Sequence, residues 1–290
     1  RGIKQRTATD CVRAVGPSWS IMRNVDVTKR SQLRMLENKN GTSEVSTTRT
    51  SFEILALIRD AGGATIADIR AETGLAKSTV YRHLKTLHDM DYLVEKDGEY
   101  RLSLRFLQLS EPPRIRRPGY IVAKQKVIEL AIETDERALF LVEEGFEGVY
   151  LHRAGGRNPL QSDTMIGKRR PLHALAAGKA IVAEWPDERI EEFVETTPLD
   201  GLTANTITDR DALFEELEQV REQGYATNMS EHMDGLRAAG VPVYNHEDDL
   251  IGALSVFGPN GRVSQDDIES TYPDLLERKA SELKIDLTYD

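Results

Sequence analysis

The rhythm of apolar residues changes near Thr50. Upstream, residues 1–46 show no sustained apolar period and end in a run rich in Asn, Gly, Ser and Thr. Such a stretch buries too little surface to fold alone. It is expected to be disordered, or an extension ahead of the natural start, with Met22 and Met35 as alternative starts. From Thr50, "TSFEILALIRDAGG" places Phe52, Leu55, Ala56 and Ile58 on one helical face and stops at Gly62-Gly63. "TIADIRAETG" opens with Thr65 as N-cap, turns Ile66 and Ile69 inward and ends at Gly74. Three residues later "KSTVYRHLKTLHDM" repeats an inward face at Val80, Leu84 and Leu87. "YLVEKDGEYRLS" then alternates apolar and polar positions around Asp97-Gly98, a strong hairpin signal. Three helices followed by a hairpin is the order of a winged helix-turn-helix.

Residues Leu107 to Pro118 are rich in Pro and Arg and read as a linker. Beyond them, "ERALFLVEEGFEGVYLHR" predicts a hairpin with Gly145 and Gly148 at its turn. "DALFEELEQVREQGY" predicts a helix stopped by Gly224, "LIGALSVFGP" a buried strand, and Gln265 to Leu283 a closing helix. Helices alternating with hairpins imply an α+β domain on an antiparallel sheet. The expected organisation is an extension over 1–46, a winged helix-turn-helix over 47–109, a linker over 110–120 and a second domain over 121–290. A chain of 290 residues is long enough for a core in each folded part.

The net charge of −10 speaks against a nucleic-acid partner until it is located. Residues 1–50 carry 10 Lys and Arg against 4 Asp and Glu, residues 51–110 carry 8 against 9, and residues 111–120 carry 3 against 1. Residues 121–290 hold the remaining 17 basic and 34 acidic side chains. The acidity belongs to the C-terminal part, and its repulsion of DNA is screened over a Debye length of about 8 Å. Excess Asp and Glu, with Arg above Lys, suggests a salt-adapted host. The longest apolar run, Leu250 to Phe257, is too short to cross a bilayer, and no membrane partner is expected. A single cysteine, Cys11, and the lack of a secretory pattern fit a reducing cytoplasm.

With Val80, Leu84 and Leu87 turned to the core, Lys77, Ser78, Thr79, Arg82 and Lys85 lie toward the helix start and its other side. Arg can grip guanine with two bonds, Ser and Thr can reach bases or phosphates, and Lys meets phosphate. Lys96 and Arg101 on the hairpin could touch the DNA backbone, although Glu95, Asp97 and Glu99 weaken that wing. Taken with the preceding helix and the Asp-Gly wing, the segment is expected to read a double-stranded DNA operator rather than to be an ordinary solvated helix face.

These segments resemble the IclR family of transcription regulators. The similarity is carried by "SFEILALI", by "ADIRAETGLAKSTVYRHLKTLHDMDYL" with the wing, and by three later blocks in the family's order: "PLHALAAGKAIVA", "GYATNMSEHMDGLRAAGVPV" and "ALSVFGPNGRV". The resemblance spans about residues 50–290, and the salt-adapted composition makes the host expected a haloarchaeon. It implies a linker helix, a GAF-like effector domain that binds a small molecule, and a homodimer or dimer of dimers. It further implies that the backbone N–H groups of Ala176 and Ala177 hold a carboxylate, at a helix start that favours anions. Asn228 falls where some members carry an acidic residue, and Leu236, Ala238, Ser255 and Phe257 line the remainder. Two positions depart from the better-known carboxylate-binding pattern: Phe257 stands where Ser can occur, and Arg170 where an apolar residue can occur. Sugar-derived or aromatic small acids are the family-level expectation for the effector.

Enzymatic readings find little support. "AAGK" lacks the glycine spacing and the following Ser or Thr of a phosphate-binding loop. His152, His173, His232 and His246 are scattered, with no close pair or cysteine at metal-ligand spacing. His232 beside Glu231 reads as a structural or dimer-contact residue. There is no Gly-x-Ser-x-Gly elbow, and no cysteine nucleophile after Cys11. No cofactor is expected. The remaining alternative is a DNA-binding dimer that senses no ligand.

Overall fold

The computed structural model describes residues 45–156 and 164–289. Apart from Val45 and Ser46, the extension and its alternative starts lie outside the described residues. Cα packing separates two compact units, with the break between Pro112 and Pro113.

The first unit contains α1 (Ser46–Ala61), β1 (Ala64–Thr65), α2 (Ile66–Thr73), α3 (Lys77–Asp89), β2 (Leu93–Lys96) and β3 (Glu99–Leu102). Thr65 and Asp68 form a reciprocal capping box that opens α2, and Gly62 and Gly74 end α1 and α2 in the left-handed region. The wing turns on Asp97 and Gly98, both at positive φ, and β3 pairs with β1 and β2 in a small antiparallel sheet. Ile54, Ile58, Ile69, Val80, Leu84 and Leu93 form the core, each contributing about 1.5–3 kcal/mol on burial. Phe52, expected inside, is 64% exposed. The buried stripe of α1 is Ile54, Leu55 and Ile58, and at ~100° per residue Phe52 stands about 200° around the helix from Ile54.

The stretch read as a linker, for which the resemblance implies a helix, is largely helical. It comprises α4 (Phe106–Ile115) and the start of α5 (Pro118–Thr134). Pro112 and Pro113 fall in the last turns of α4, where their missing N–H groups forgo bonds to Gln108 and Leu109. Pro118 takes the first position of α5, where a proline loses nothing.

The second unit is built on six strands: β4 (Arg137–Glu144), β5 (Glu147–Gly155), β6 (Arg169–Pro171), β7 (Ala226–Met229), β8 (Leu236–Tyr244) and β9 (Leu250–Pro259). They run in the order β6-β5-β4-β9-β8-β7, and every pairing is antiparallel. α5 and α9 (Tyr272–Tyr289) cover one face. α6 (Ala176–Ala183), α7 (Asp187–Thr196) and α8 (Arg210–Gln223) cover the other. β4 and β9 are buried on both faces, which is why they read as continuous apolar runs rather than alternations. The β4–β5 turn uses Gly145 and Phe146, both at positive φ. Gly148 is not in this turn but in β5, where a Cβ would come within 2.9 Å of Leu141. The closing helix is interrupted by a π turn over Asp267–Thr271, next to Pro273, which has no N–H to give.

Candidate functional site

α3 presents the candidate reading surface. Lys77, Ser78, Arg82 and Lys85 are exposed and Thr79 is half-buried, while Val80 and Leu84 are wholly buried. No side chain caps the helix, and Thr79 and Val80 donate to Ala76, leaving the Lys77 and Ser78 N–H groups free of the helix ladder. The Ser51 hydroxyl bonds His83 Nδ1 at 2.8 Å and ties α3 to α1. The expected cations differ in freedom. Lys85 pairs with Asp89 at 2.8 Å, and that bond raises its pKa; Arg101 pairs with Glu99 at 2.9 Å. Lys77, Arg82 and Lys96 are in no ion pair among the described residues. Sequence reasoning passed over Tyr81, which is 49% exposed on α3. Its place four residues after Lys77 and four before Lys85 was the available signal.

In the second unit the eight residues expected at an effector site line one small cavity. Leu139, Leu236, Ala238 and Phe257 supply apolar wall from the sheet, Ser255 lies among them, and Arg170 enters from the edge strand β6. Ala176 and Ala177 line it from the first turn of α6. The first backbone N–H of that helix to find a carbonyl one turn back is that of Lys179, which bonds Leu175, so those of Ala176 and Ala177 are left for another acceptor. Close packing sets their position: a Cβ on Gly178 would lie 2.1 Å from the Leu172 carbonyl oxygen, and one on Gly240 of β8 would lie 2.7 Å from Ala177 N.

Two of the expected polar residues are already engaged. The Asn228 amide donates to the Ala174 carbonyl at 2.5 Å and accepts from the Glu231 N–H at 3.1 Å. The Ser255 hydroxyl donates to the Ala239 carbonyl at 2.6 Å. Both therefore hold the cavity's frame. Behind it Lys179, 1% exposed, donates to Glu216 at 2.6 Å and to both Glu231 oxygens at 2.9 Å. Burial raises the Glu231 carboxyl against the pull of Lys179. This pair fastens α6 to the loop after β7.

That loop brings in His232, read from the sequence as a structural or dimer-contact residue, and it lines the cavity. Its Nδ1 is buried and finds no hydrogen-bond partner among the described residues. Burial, then the charges of Arg170 and Lys168, push its pKa down to about 4, so the ring is neutral near pH 7. Tyr150, also missed, lines the cavity at 2% exposure and accepts from the Arg170 guanidinium. Neither lay in a distinctive spacing: Tyr150 comes beside Arg170 because β5 pairs β6, and His232 reaches the same cavity from the loop between β7 and β8. Among the described residues no group of three or more His, Cys, Asp or Glu could hold a metal, and no helix is long and apolar enough to cross a membrane.

Comparison with known proteins agrees with this geometry. The IclR helix-turn-helix domain matches residues 49–97, and the bacterial transcriptional regulator IclR C-terminal domain matches residues 120–284. The HTH-type transcriptional regulator KipR of Bacillus subtilis is 30% identical over 232 residues, 80% of this chain and 91% of that protein. The crystal structure of the Thermotoga maritima IclR is similar with a TM-score of 0.73 at 26% identity, covering 84% of this chain and 99% of that one. The inducer-binding domain of PobR from Acinetobacter, a double mutant in complex with 3-hydroxybenzoic acid, is similar with a TM-score of 0.54 at 29% identity, covering 57% of this chain and 96% of that one. A helix-turn-helix followed by an effector-binding domain is an arrangement of regulators rather than enzymes, and this chain belongs to the IclR family of transcriptional regulators.

Proposed function

We propose that the effector is a small carboxylic acid whose carboxylate bonds the Ala176 and Ala177 N–H groups. The observation that carries this reading is the uncapped first turn of α6 opening on a mostly apolar cavity. Backbone donors at a helix start favour a negative charge, and apolar walls accept the acid's body. The ligand of the Acinetobacter relative is itself a small aromatic acid. Arg170 and Phe257 narrow the choice within that class. In this reading residues 47–109 bind the operator, residues 110–120 link, and residues 121–290 sense the acid in the cytoplasm of a salt-adapted host. The second unit takes the GAF-like role, and a homodimer or dimer of dimers sets the two α3 helices in successive major grooves, about one turn or more apart. Lys77, Ser78, Thr79 and Arg82 make the closest contacts, with Lys85, Lys96 and Arg101 on phosphates. The acid changes operator affinity through its different affinity for the two dimer geometries.

Ala176→Pro tests the pocket. Proline suits the first position of a helix, and Leu175 ahead of it is already extended at φ −117 and ψ 138, as a residue before proline must be. The variant removes one donor and keeps the fold. Operator affinity without acid should be unchanged, and benzoate should bind more weakly by about 1.5–3 kcal/mol, the net worth of a bond to a charged group. Benzoate binding equal to that of the parent protein would reject the assignment.

A further inference from the structure

We propose that Tyr81 is a specificity-determining residue of the reading helix, its ring set against the methyl group of one thymine in the operator's major groove. The proposal rests on α3 as the operator-reading helix and adds an apolar contact to the hydrogen-bonding ones. At ~100° per residue, Ser78, Tyr81, Arg82 and Lys85 fall within an arc of about 100° on α3, turned away from Val80 and Leu84. All four are exposed, whereas Val80 and Leu84 are wholly buried. A spacing of i, i+3, i+4 and i+7 is what presents side chains to base edges when a helix lies in a major groove.

Packing within the first unit does not account for this tyrosine. It is 49% exposed, and the core takes Tyr100 and Phe106 as its aromatic neighbours instead. The Tyr81 hydroxyl is in no hydrogen bond among the described residues. The four side chains of the arc divide the chemistry of reading. Ser78 and Arg82 supply polar donors for bases or phosphates. Lys85 is held by Asp89 at 2.8 Å, one turn further along the helix, and serves a phosphate better than a base. Tyr81 alone among the four brings an aromatic face. In the major groove the apolar group that a base presents is the C5-methyl of thymine. A ring that turns on only two side-chain bonds meets that methyl at little cost in conformational freedom.

The test pairs a side chain with a single methyl group. The full chain first selects its site from a library of random DNA duplexes. Each thymine of the recovered site is then replaced singly by deoxyuridine, which deletes the methyl and keeps the base pair. In fluorescence anisotropy, one such replacement should weaken binding by the parent protein about three- to tenfold, the worth of one buried methyl-sized group in a close contact. Tyr81→Phe should keep that sensitivity. Tyr81→Ala, a good helix former outside the core, should melt with the parent yet bind the thymine and deoxyuridine duplexes equally. Arg82→Ala should weaken both duplexes and leave the effect of the methyl in place. The contact is overturned if no thymine is sensitive in the parent, if the sensitivity survives in Tyr81→Ala, or if Tyr81→Phe loses it. If the library yields no enriched sequence, the reading of α3 itself fails, and the role of Tyr81 fails with it.

Discussion

Gly240→Ala probes how closely α6 must approach the sheet. In β8, Gly240 pairs with Ser255, and a Cβ there would stand 2.7 Å from Ala177 N and 2.8 Å from the Ala176 carbonyl carbon. Ordinary contact starts at 3.4 Å, so α6 has to withdraw by about 0.7 Å. The atoms struck are backbone, and no side-chain rotation relieves the contact. Overpacking of this kind costs ~1–3 kcal/mol. At about 2–4 °C per kcal/mol for a unit of this size, the melting temperature should fall by roughly 2–12 °C. The functional loss should be larger than the structural one. A charge-assisted N–H···O bond of about 2.8 Å, lengthened by 0.7 Å, leaves hydrogen-bonding range. Losing one such bond costs ~1.5–3 kcal/mol, or about 10- to 150-fold in affinity. Differential scanning calorimetry and benzoate titration of the same preparation read both quantities. An unchanged melting temperature with unchanged benzoate affinity would refute the argument that Gly240 sets the height of α6.

Three further outcomes are expected. Arg82→Ala should weaken operator binding by ~1–3 kcal/mol without lowering the melting temperature; equal affinity in fluorescence anisotropy would remove Arg82 from base reading. Lys179→Met should destabilise the second unit by ~3–5 kcal/mol, because Glu231 and Glu216 lose the cation that neutralises them, and urea denaturation showing no loss would count against the buried pair. His232, His152 and His173 all have pKa values lowered by burial. The unfolded chain therefore binds protons more readily than the folded one, and stability present above about pH 6.5 is lost as pH falls toward 4. His232→Gln should flatten that slope in thermal melts from pH 4 to 7, and an identical slope would exclude His232 as a contributor.

Local order in the chain was legible where one physical signal dominated. Thr65 with Asp68, the glycines at 62, 74 and 224, and the Asp97-Gly98 turn act within a few residues, and each forms what its chemistry prescribes. The inward faces of α2 and α3 were equally readable because a helix repeats on a fixed angle. Phe52 failed that reading because an apolar residue can sit on a solvent face, and only packing tells which stripe is buried. In the Pro-rich stretch the residues themselves showed only a linker, and its helix came from the resemblance; two prolines late in a helix remove bonds without preventing the turns before them.

The cavity divides along the same line. By itself, the sequence determined which residues belong to the family blocks, and the seven pocket positions within them, with Arg170 just ahead of the block that opens at Pro171, do gather at one site. Only the tertiary structure decided what each can do there. It occupies both ends of the Asn228 amide with backbone, commits the Ser255 proton to β8, and brings Tyr150 and His232 beside Arg170. The reason is that capping and turn formation involve neighbours in the chain. Whether a buried donor is satisfied or still available depends on partners that meet only when distant strands pair.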